Sequence, residues 1–177
     1  MTKTNDEETT RAKWLDREDQ VAREDRLARL EWLADRVPQS KFLVFRGGWV
    51  SKYVFEETRY CFAYGQFMAT VVLGLAFIER TLAALFYEAG RNDLERASVS
   101  LLLREARNIG WLSDDEYRQL DEVRTLRNPL THFRAPLTRE TIEGRAVRCR
   151  ELPQSILEVD ARKVMVAVCH ILSRNAV

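Results

Sequence analysis

The chain of 177 residues carries 28 basic and 27 acidic side chains, and 46% of its residues are hydrophobic. This length suits one domain with an extension, and the apolar content excludes collagen-like and wholly disordered chains. A formal net charge of +1 excludes a generally basic nucleic-acid coat but allows a local basic patch. The 3 cysteines are widely spaced without a CxxC pair, so neither a disulfide framework nor a zinc site is predicted.

The sequence indicates a cytoplasmic protein that has no membrane partner. Its first 30 residues are dense in charged side chains and show no secretory signal. The most apolar run, residues 67–78, ends at Glu79 and is shorter than the roughly 20 apolar residues that a bilayer span needs. The lack of a disulfide pattern also fits a reducing cytosol.

Residues 1–50 are predicted to form a charged N-terminal helix and a linker. From about 7 to 36, charges alternate with isolated apolar residues three or four apart, which is typical of a long, mostly solvated helix with one narrow apolar stripe. Pro38 is expected to end it. We expect this stripe to pack on the domain or on a second subunit rather than to bind nucleic acid, because the charges nearly balance. Residues 42–45 fit either a short strand or a loop.

Residues 51–177 are predicted to form a single all-helical domain. Residues 51–89 show a strongly apolar helical pattern that Gly65 or Gly74 can bend. A short helix is expected near 138–154. Further helices are predicted over three segments with clear apolar periodicity or caps: 98–109, 113–126 and 160–174. The fold class is therefore all-α, a helical bundle with an additional charged N-terminal helix.

One histidine lies in a pattern that suits chemistry. His132 follows Arg127 by five residues, and on an unbroken helix the two side chains would point about 140° apart. Pro129 disfavours helix in Asn128 and removes a backbone donor, so we expect a break that lets Arg127 and His132 converge. A guanidinium beside a neutral imidazole suits phosphate chemistry, because the first grips phosphate oxygens and the second accepts a proton.

The other histidine, His170, is predicted to be an ordinary core or surface residue of the last helix. It has no acidic or histidine neighbour at the sequence spacing of metal ligands. No group of metal-binding residue types recurs at such spacing elsewhere, so the sequence predicts no metal and no cofactor.

Four further residues are candidates for supporting the site. Glu79 ends the longest apolar run, so it either bonds to Arg127 or Asn128 and holds the site, or pairs with a nearby arginine at the helix surface. Three arginines are candidates for binding an RNA backbone, and each also fits an ordinary exposed helix residue: Arg104, Arg107 and Arg124.

Residues from about 55 to 175 resemble a HEPN domain, a helical bundle whose signature is Arg, a polar residue, a few variable residues and then His. Arg127, Asn128 and His132 match this pattern, and the stretch from Gly110 into the motif is also similar. The resemblance implies an up-and-down helical core. It also implies a homodimer in which the two motifs face each other across a cleft.

Active members of this family cleave RNA without metal, so the resemblance implies an endoribonuclease that serves as a toxin or defence effector. His132 would take the proton of a ribose 2′-hydroxyl, Arg127 would stabilise the charge on the phosphate, and Asn128 would orient one of these groups. RNA would be the substrate, and an antitoxin or regulatory protein a further partner.

Arg134 marks a departure from one branch of the family. That branch commonly carries, two residues after the histidine, a tyrosine whose modification silences the toxin. Here Arg134 would instead add a second cation near the phosphate. The alternative function is a non-catalytic helical module that binds a nucleotide, RNA or a protein partner, since inactive members of the family exist.

Overall fold

A computed structural model describes the backbone of residues 3–37 and 43–175, with side chains described from residue 10 onward. Within these ranges the chain is helical and has no strand beyond an isolated bridge position at Leu43, which confirms the all-α prediction. Pro38 and Phe42 lie outside the described residues. The helices are α1 Lys3–Ala34, α2 Gly48–Ala63, α3 Phe67–Glu88, α4 Val99–Asn108, α5 Asp114–Thr125, α6 Asn128–Thr131, α7 Ile142–Cys149 and α8 Pro153–Ser173.

The apolar stretch over 51–89 forms two helices rather than one bent helix. α2 ends at Ala63, Gly65 has a φ of +73°, and α3 begins at Phe67. Glycine adopts this left-handed conformation without the steric cost that a side chain would add. The chain therefore reverses at Gly65 and lays α3 along α2.

α3 is the central helix of the core. It packs along both α2 and α8, and its buried side chains include Phe67, Leu75 and Leu82. Its 22 residues extend well beyond the apolar run recognised in the sequence, and among the described residues it alone is long and apolar enough to cross a membrane, with a mean hydropathy of 1.7. Half of that apolar stretch is buried inside the protein, and core helices of soluble proteins meet the same test.

The later helices follow the predicted caps, but α8 begins earlier than predicted. Ser113 and Glu116 form the capping box at the start of α5 in both directions. α8 begins at Pro153 rather than near Asp160, because proline lacks only a donor that the first helical turn does not use. Asp160 therefore lies inside the helix, where it is buried.

The charged helix α1 docks on the bundle through its last part. Leu33 is buried in the core, and Arg29 is buried with its guanidinium 5.0 Å from the centre of the Phe67 ring. The Arg29 Nη1 also donates to the Ala63 carbonyl at 3.5 Å. Residues 10–25 are all exposed, so α1 is mostly solvated and its apolar stripe packs on the domain at one end only.

The substitution Gly74→Ala tests the packing of α3 on α8. A Cβ atom at Gly74 would lie 2.4 Å from Val164 Cγ1 and 3.2 Å from Val168 Cγ2. Such overpacking costs about 1–3 kcal/mol, while the better helix propensity of alanine returns up to about 1 kcal/mol. We predict a net loss of about 1–2 kcal/mol in the free energy of unfolding, measured by urea denaturation.

Val164→Ala supplies the matched background for this test, because it removes the nearer clashing methyl group. In that background Gly74→Ala should cost much less, or stabilise the protein. An equal loss in both backgrounds would show that crowding at Val164 is not the cause.

The capping box also joins the start of α5 to the end of α8. The Glu116 carboxylate accepts the Ser113 backbone N–H at 2.7 Å and a guanidinium N–H of Arg174 at 2.6 Å. The pKa of Glu116 is lowered to about 2, first by the bond from the Ser113 backbone and then by Arg174, against the opposing effect of burial. His170 Nε2 lies 2.8 Å from the same carboxylate but is not aligned for a hydrogen bond. The His170 side chain is partly exposed at the edge of this cluster.

Glu116→Gln is predicted to lower the free energy of unfolding by about 1–2 kcal/mol at pH 7, because hydrogen bonds to the charged carboxylate are lost. Since the folded pKa lies below the usual 4.5, this contribution is complete above pH 4.5 and is lost as the pH falls toward 2. Urea denaturation at several pH values should show the difference between wild type and variant shrinking over that window. Asp115→Asn changes the same charge in the same first turn and should cost only about 0.5 kcal/mol. Equal costs for the two variants at pH 7 would contradict the assignment.

Candidate functional site

The motif lies at a break between α5 and α6. Pro129 has no N–H to bond to the Thr125 carbonyl, and its ring would clash with that carbonyl in a continuous helix, so α5 ends at Thr125. Asn128 begins α6, which places Pro129 in the first turn, where proline is tolerated. The predicted end of the helix before the motif is therefore confirmed, but the predicted departure of Asn128 from helical structure is wrong, since Asn128 is helical and Leu126 and Arg127 keep right-handed helical dihedrals.

Arg127 is held at this break by a contact with the central helix. Its Nη1 lies 3.8 Å from the Oε2 of Glu79 on α3, which is an ion pair but too long for a hydrogen bond. The two side chains are 39% and 38% exposed, so the pair contributes at most about 1 kcal/mol to stability. The contact places Glu79 beside Arg127 without a hydrogen bond, which is compatible with both predicted interpretations, so the role of Glu79 in holding the site stays a prediction.

Asn128 and His132 line different depressions of the surface. Asn128 lines a cleft of about 750 Å³, and His132 lines a shallower depression of about 330 Å³ at the end of α6. The backbone N–H of His132 donates to the Asn128 carbonyl at 3.1 Å. The His132 residue is exposed to solvent. Arg127 lines neither cavity, so the single chain does not show the predicted convergence of Arg127 and His132 on one cavity.

The chain that follows His132 is open to solvent. Residues 131–140 are all exposed, and the Phe133 side chain is 91% exposed. Arg134 lines the same depression as His132, and its role as a second cation near the phosphate stays a prediction.

The three arginines predicted to bind RNA differ in their surroundings. Arg107 donates to Asp114 at 2.6 Å, and Arg124 donates to Asp121 at 2.7 Å, so a neighbouring carboxylate balances each charge. Arg104 is exposed on α4. None of the three lines the cavities that contain Asn128 or His132.

The structure reveals a cluster that sequence reasoning missed. Arg145 of α7 donates to both oxygens of Asp160 on α8, at 2.5 and 2.7 Å, and the Asp160 side chain is only 1% exposed. The hydrogen bonds that Arg145 donates to Asp160 raise the pKa of Arg145, although burial opposes the shift. The sequence does contain a signal for this pair, because Asp160 lies four residues from Ile156 and four from Val164, on the apolar face of α8. This pair fixes α7 against α8 beside the cleft that Asn128 lines.

Neither a search for metal-binding groups nor a comparison with known proteins assigns a function to the site. Within the described ranges, no three His, Cys, Asp or Glu side chains are grouped so that they could hold a metal ion. Comparison of the chain with models of protein families, with curated proteins and with solved structures finds no match in any of the three.

Asp160→Ala is predicted to lower the free energy of unfolding by about 3 kcal/mol, because it leaves the partly buried Arg145 without its counter-ion. Urea denaturation measures this loss. Asp121→Ala removes the carboxylate partner of Arg124 at the surface and should cost less than about 1 kcal/mol. The interpretation fails if the two alanine variants are equally stable.

Proposed function

We propose that this chain is a HEPN-like, metal-independent endoribonuclease that acts as a cytoplasmic homodimer in the role of a toxin or defence effector. The observation that supports this proposal is the motif itself at the helix break. Arg127, Asn128 and His132 occur in the order and spacing of the family signature, and α5 ends just before them. The guanidinium and the imidazole are both open to solvent, as a substrate-binding pair requires.

The proposed reaction is an attack of the ribose 2′-oxygen on the adjacent phosphorus. His132 accepts the 2′-hydroxyl proton, the 2′-oxygen–phosphorus bond forms, and the bond from phosphorus to the 5′-oxygen breaks. Arg127 stabilises the negative charge that builds on the phosphoryl oxygens, and Asn128 orients the histidine or the phosphate. The departing 5′-oxygen takes up a proton, and a 2′,3′-cyclic phosphate remains. The need for a 2′-hydroxyl makes RNA the substrate rather than DNA.

Two contacts around the motif suit these roles. The Glu79 carboxylate lies 3.8 Å from the Arg127 guanidinium, and both groups are partly exposed to water. The ion pair is therefore weak, and Arg127 remains able to bind a phosphate group. The Thr131 hydroxyl donates to the Arg127 carbonyl at 3.1 Å and stabilises the single turn of α6. In line with the family resemblance, the proposed active site combines the motifs of two copies of the chain.

The regulation of this enzyme would differ from that of the branch with the modified tyrosine. Arg134 occupies the corresponding position and cannot accept a nucleotidyl group on a phenol oxygen. An antitoxin or regulatory protein would therefore have to act by binding, and the exposed Phe133 beside the motif is a suitable apolar contact.

The variants Arg127→Ala and His132→Ala are predicted to cleave RNA about 10²–10⁴-fold more slowly than wild type, because each removes a group that acts in the transition state. The measurement is the single-turnover rate on a labelled single-stranded RNA, with the products tested for 2′,3′-cyclic phosphate ends. A metal chelator should leave the wild-type rate unchanged.

Two variants outside the motif serve as matched controls. His170→Gln removes the other histidine and Arg118→Ala removes an exposed surface arginine paired with Asp115, and both should cleave RNA like wild type. Circular dichroism verifies that all four variants are folded. The proposal is wrong if both motif variants cleave at the wild-type rate.

A non-catalytic helical module is the alternative function. It is favoured by one observation, that Arg127 lies against Glu79 while His132 lines a separate depression. Such a module would bind RNA, a nucleotide or a protein without cleaving RNA. Expression in a host distinguishes the two functions, since an active ribonuclease slows growth and its His132→Ala variant does not.

A further inference from the structure

The cleft that Asn128 lines is rich in cations from three segments of the chain. Its basic side chains are Arg139 from the exposed segment, Arg145 and Arg148 from α7, and Lys163 from α8. Glu122 and Glu140 are its acidic side chains. The cleft has a volume of about 750 Å³, which is within the usual range of ligand-binding cavities.

The charges of this cleft are not balanced by the protein. Arg145 is paired with Asp160, and Lys163 lies 2.7 Å from a carboxylate oxygen of Glu122. Arg148 donates instead to a neutral group, the backbone carbonyl of Arg139, at 3.1 Å. Among the residues that the structure describes, neither Arg139 nor Arg148 has a carboxylate at ion-pair distance. Glu140 is the one remaining carboxylate among the described residues that line this cleft, so one positive charge is left over, and this net charge favours the binding of an anion there.

The backbone around these arginines holds them in place. The Thr141 side chain caps α7 by accepting the Gly144 N–H at 3.1 Å. A Cβ atom at Gly144 would lie 2.0 Å from the Thr138 carbonyl oxygen, so the segment with Arg139 lies directly against α7. The bond from Arg148 to the Arg139 carbonyl closes the same connection. This packing fixes the backbone from which both arginines extend, while the two residues themselves are exposed.

The composition of the cleft favours phosphate groups of a strand over a free nucleotide or a base. An arginine fork matches phosphate oxygens, whereas bases are usually held by stacking on aromatic rings. None of the described residues that line the cleft is aromatic. Asn128 and Pro129 belong to the motif and also line the cleft, so an anion bound here lies next to the proposed reaction site.

We infer that Arg139 and Arg148 bind phosphodiester groups of the RNA strand that flank the bond to be cleaved. This inference rests on the proposed function, because it assigns the cleft to the same substrate. Arg139 and Arg148, rather than Arg107 and Arg124, are then the main contacts to the RNA backbone, because neighbouring aspartates balance the charges of Arg107 and Arg124. Binding of this kind depends on salt and not on base sequence.

The test measures binding separately from cleavage. The probe is a labelled single-stranded RNA in which every 2′-hydroxyl is methylated, so that it cannot be cleaved by the proposed reaction. Fluorescence anisotropy gives its Kd for the full chain over a range of salt concentrations. Arg139→Ala/Arg148→Ala is expected to raise the Kd about tenfold or more at low salt and to reduce the slope of log Kd against log salt by about 1.4, or 0.7 for each lost phosphate contact.

Arg17→Ala/Arg23→Ala is the matched control, because it removes the same charge from the exposed part of α1. This variant should keep the wild-type Kd and slope, and thermal unfolding verifies that both double variants are folded. The inference is overturned if the cleft variant binds like wild type, or if the control variant loses as much affinity.

Two competitors distinguish the source of the anion. Adenosine monophosphate and polyglutamate should displace the probe only at concentrations far above those of unlabelled RNA. Displacement by the nucleotide at comparable concentration would make the cleft a nucleotide site, and displacement by polyglutamate would make it a site for an acidic protein. Cleavage of unmodified RNA is measured in parallel, so a wild-type protein that binds through the cleft but does not cleave would reject the proposed function and leave the cleft assignment in place.

Discussion

The candidate site depends on one missing backbone donor, the nitrogen of Pro129. Because that nitrogen cannot bond to the Thr125 carbonyl, α5 stops there and the chain starts a new single turn. Around this interruption the three functional groups of the motif lie in different places: Arg127 contacts α3, Asn128 lines the basic cleft, and His132 lies at the exposed end of α6. On a continuous helix the same side chains would be spread around one axis.

Much of the fold could be predicted because local signals were strong. The Ser113 capping box and the glycines after α3 and α4 mark helix ends through interactions within a few residues, and Gly90 and Gly110 do take positive φ values. The reversal at Gly65 was harder to predict, because a glycine in an apolar run is compatible with a bend or a turn and only the packing of α3 on α2 decides between them. The start of α8 was predicted too late, since the buried Asp160 was taken for a helix beginning.

The candidate site could be predicted only in part. The string from Arg127 to His132 predicts a break and a pair of groups suited to phosphate, because proline acts locally. The contact between Arg127 and Glu79 joins residues far apart in the chain, so the sequence left it as one of two interpretations. The cleft of Arg139 and Arg148 gave no sequence signal at all, since it forms only when the segment after α6 folds back against α7. Arginines are common in this chain, and only the arrangement of carboxylates separates balanced charges from unbalanced ones.

The helix α1 contains two levels of thermodynamic stability in one element. Near Arg29 and Leu33 its backbone is tied to the core, whereas residues 10–25 have only the weak support of a helix without packing. Amide protons near Leu33 should therefore exchange only when the bundle opens, while those around Trp14 exchange through fraying of the helix end. Residues 10–25 of α1 should therefore unfold independently of the bundle. A molecule that binds these residues would order them without changing the structure of the motif.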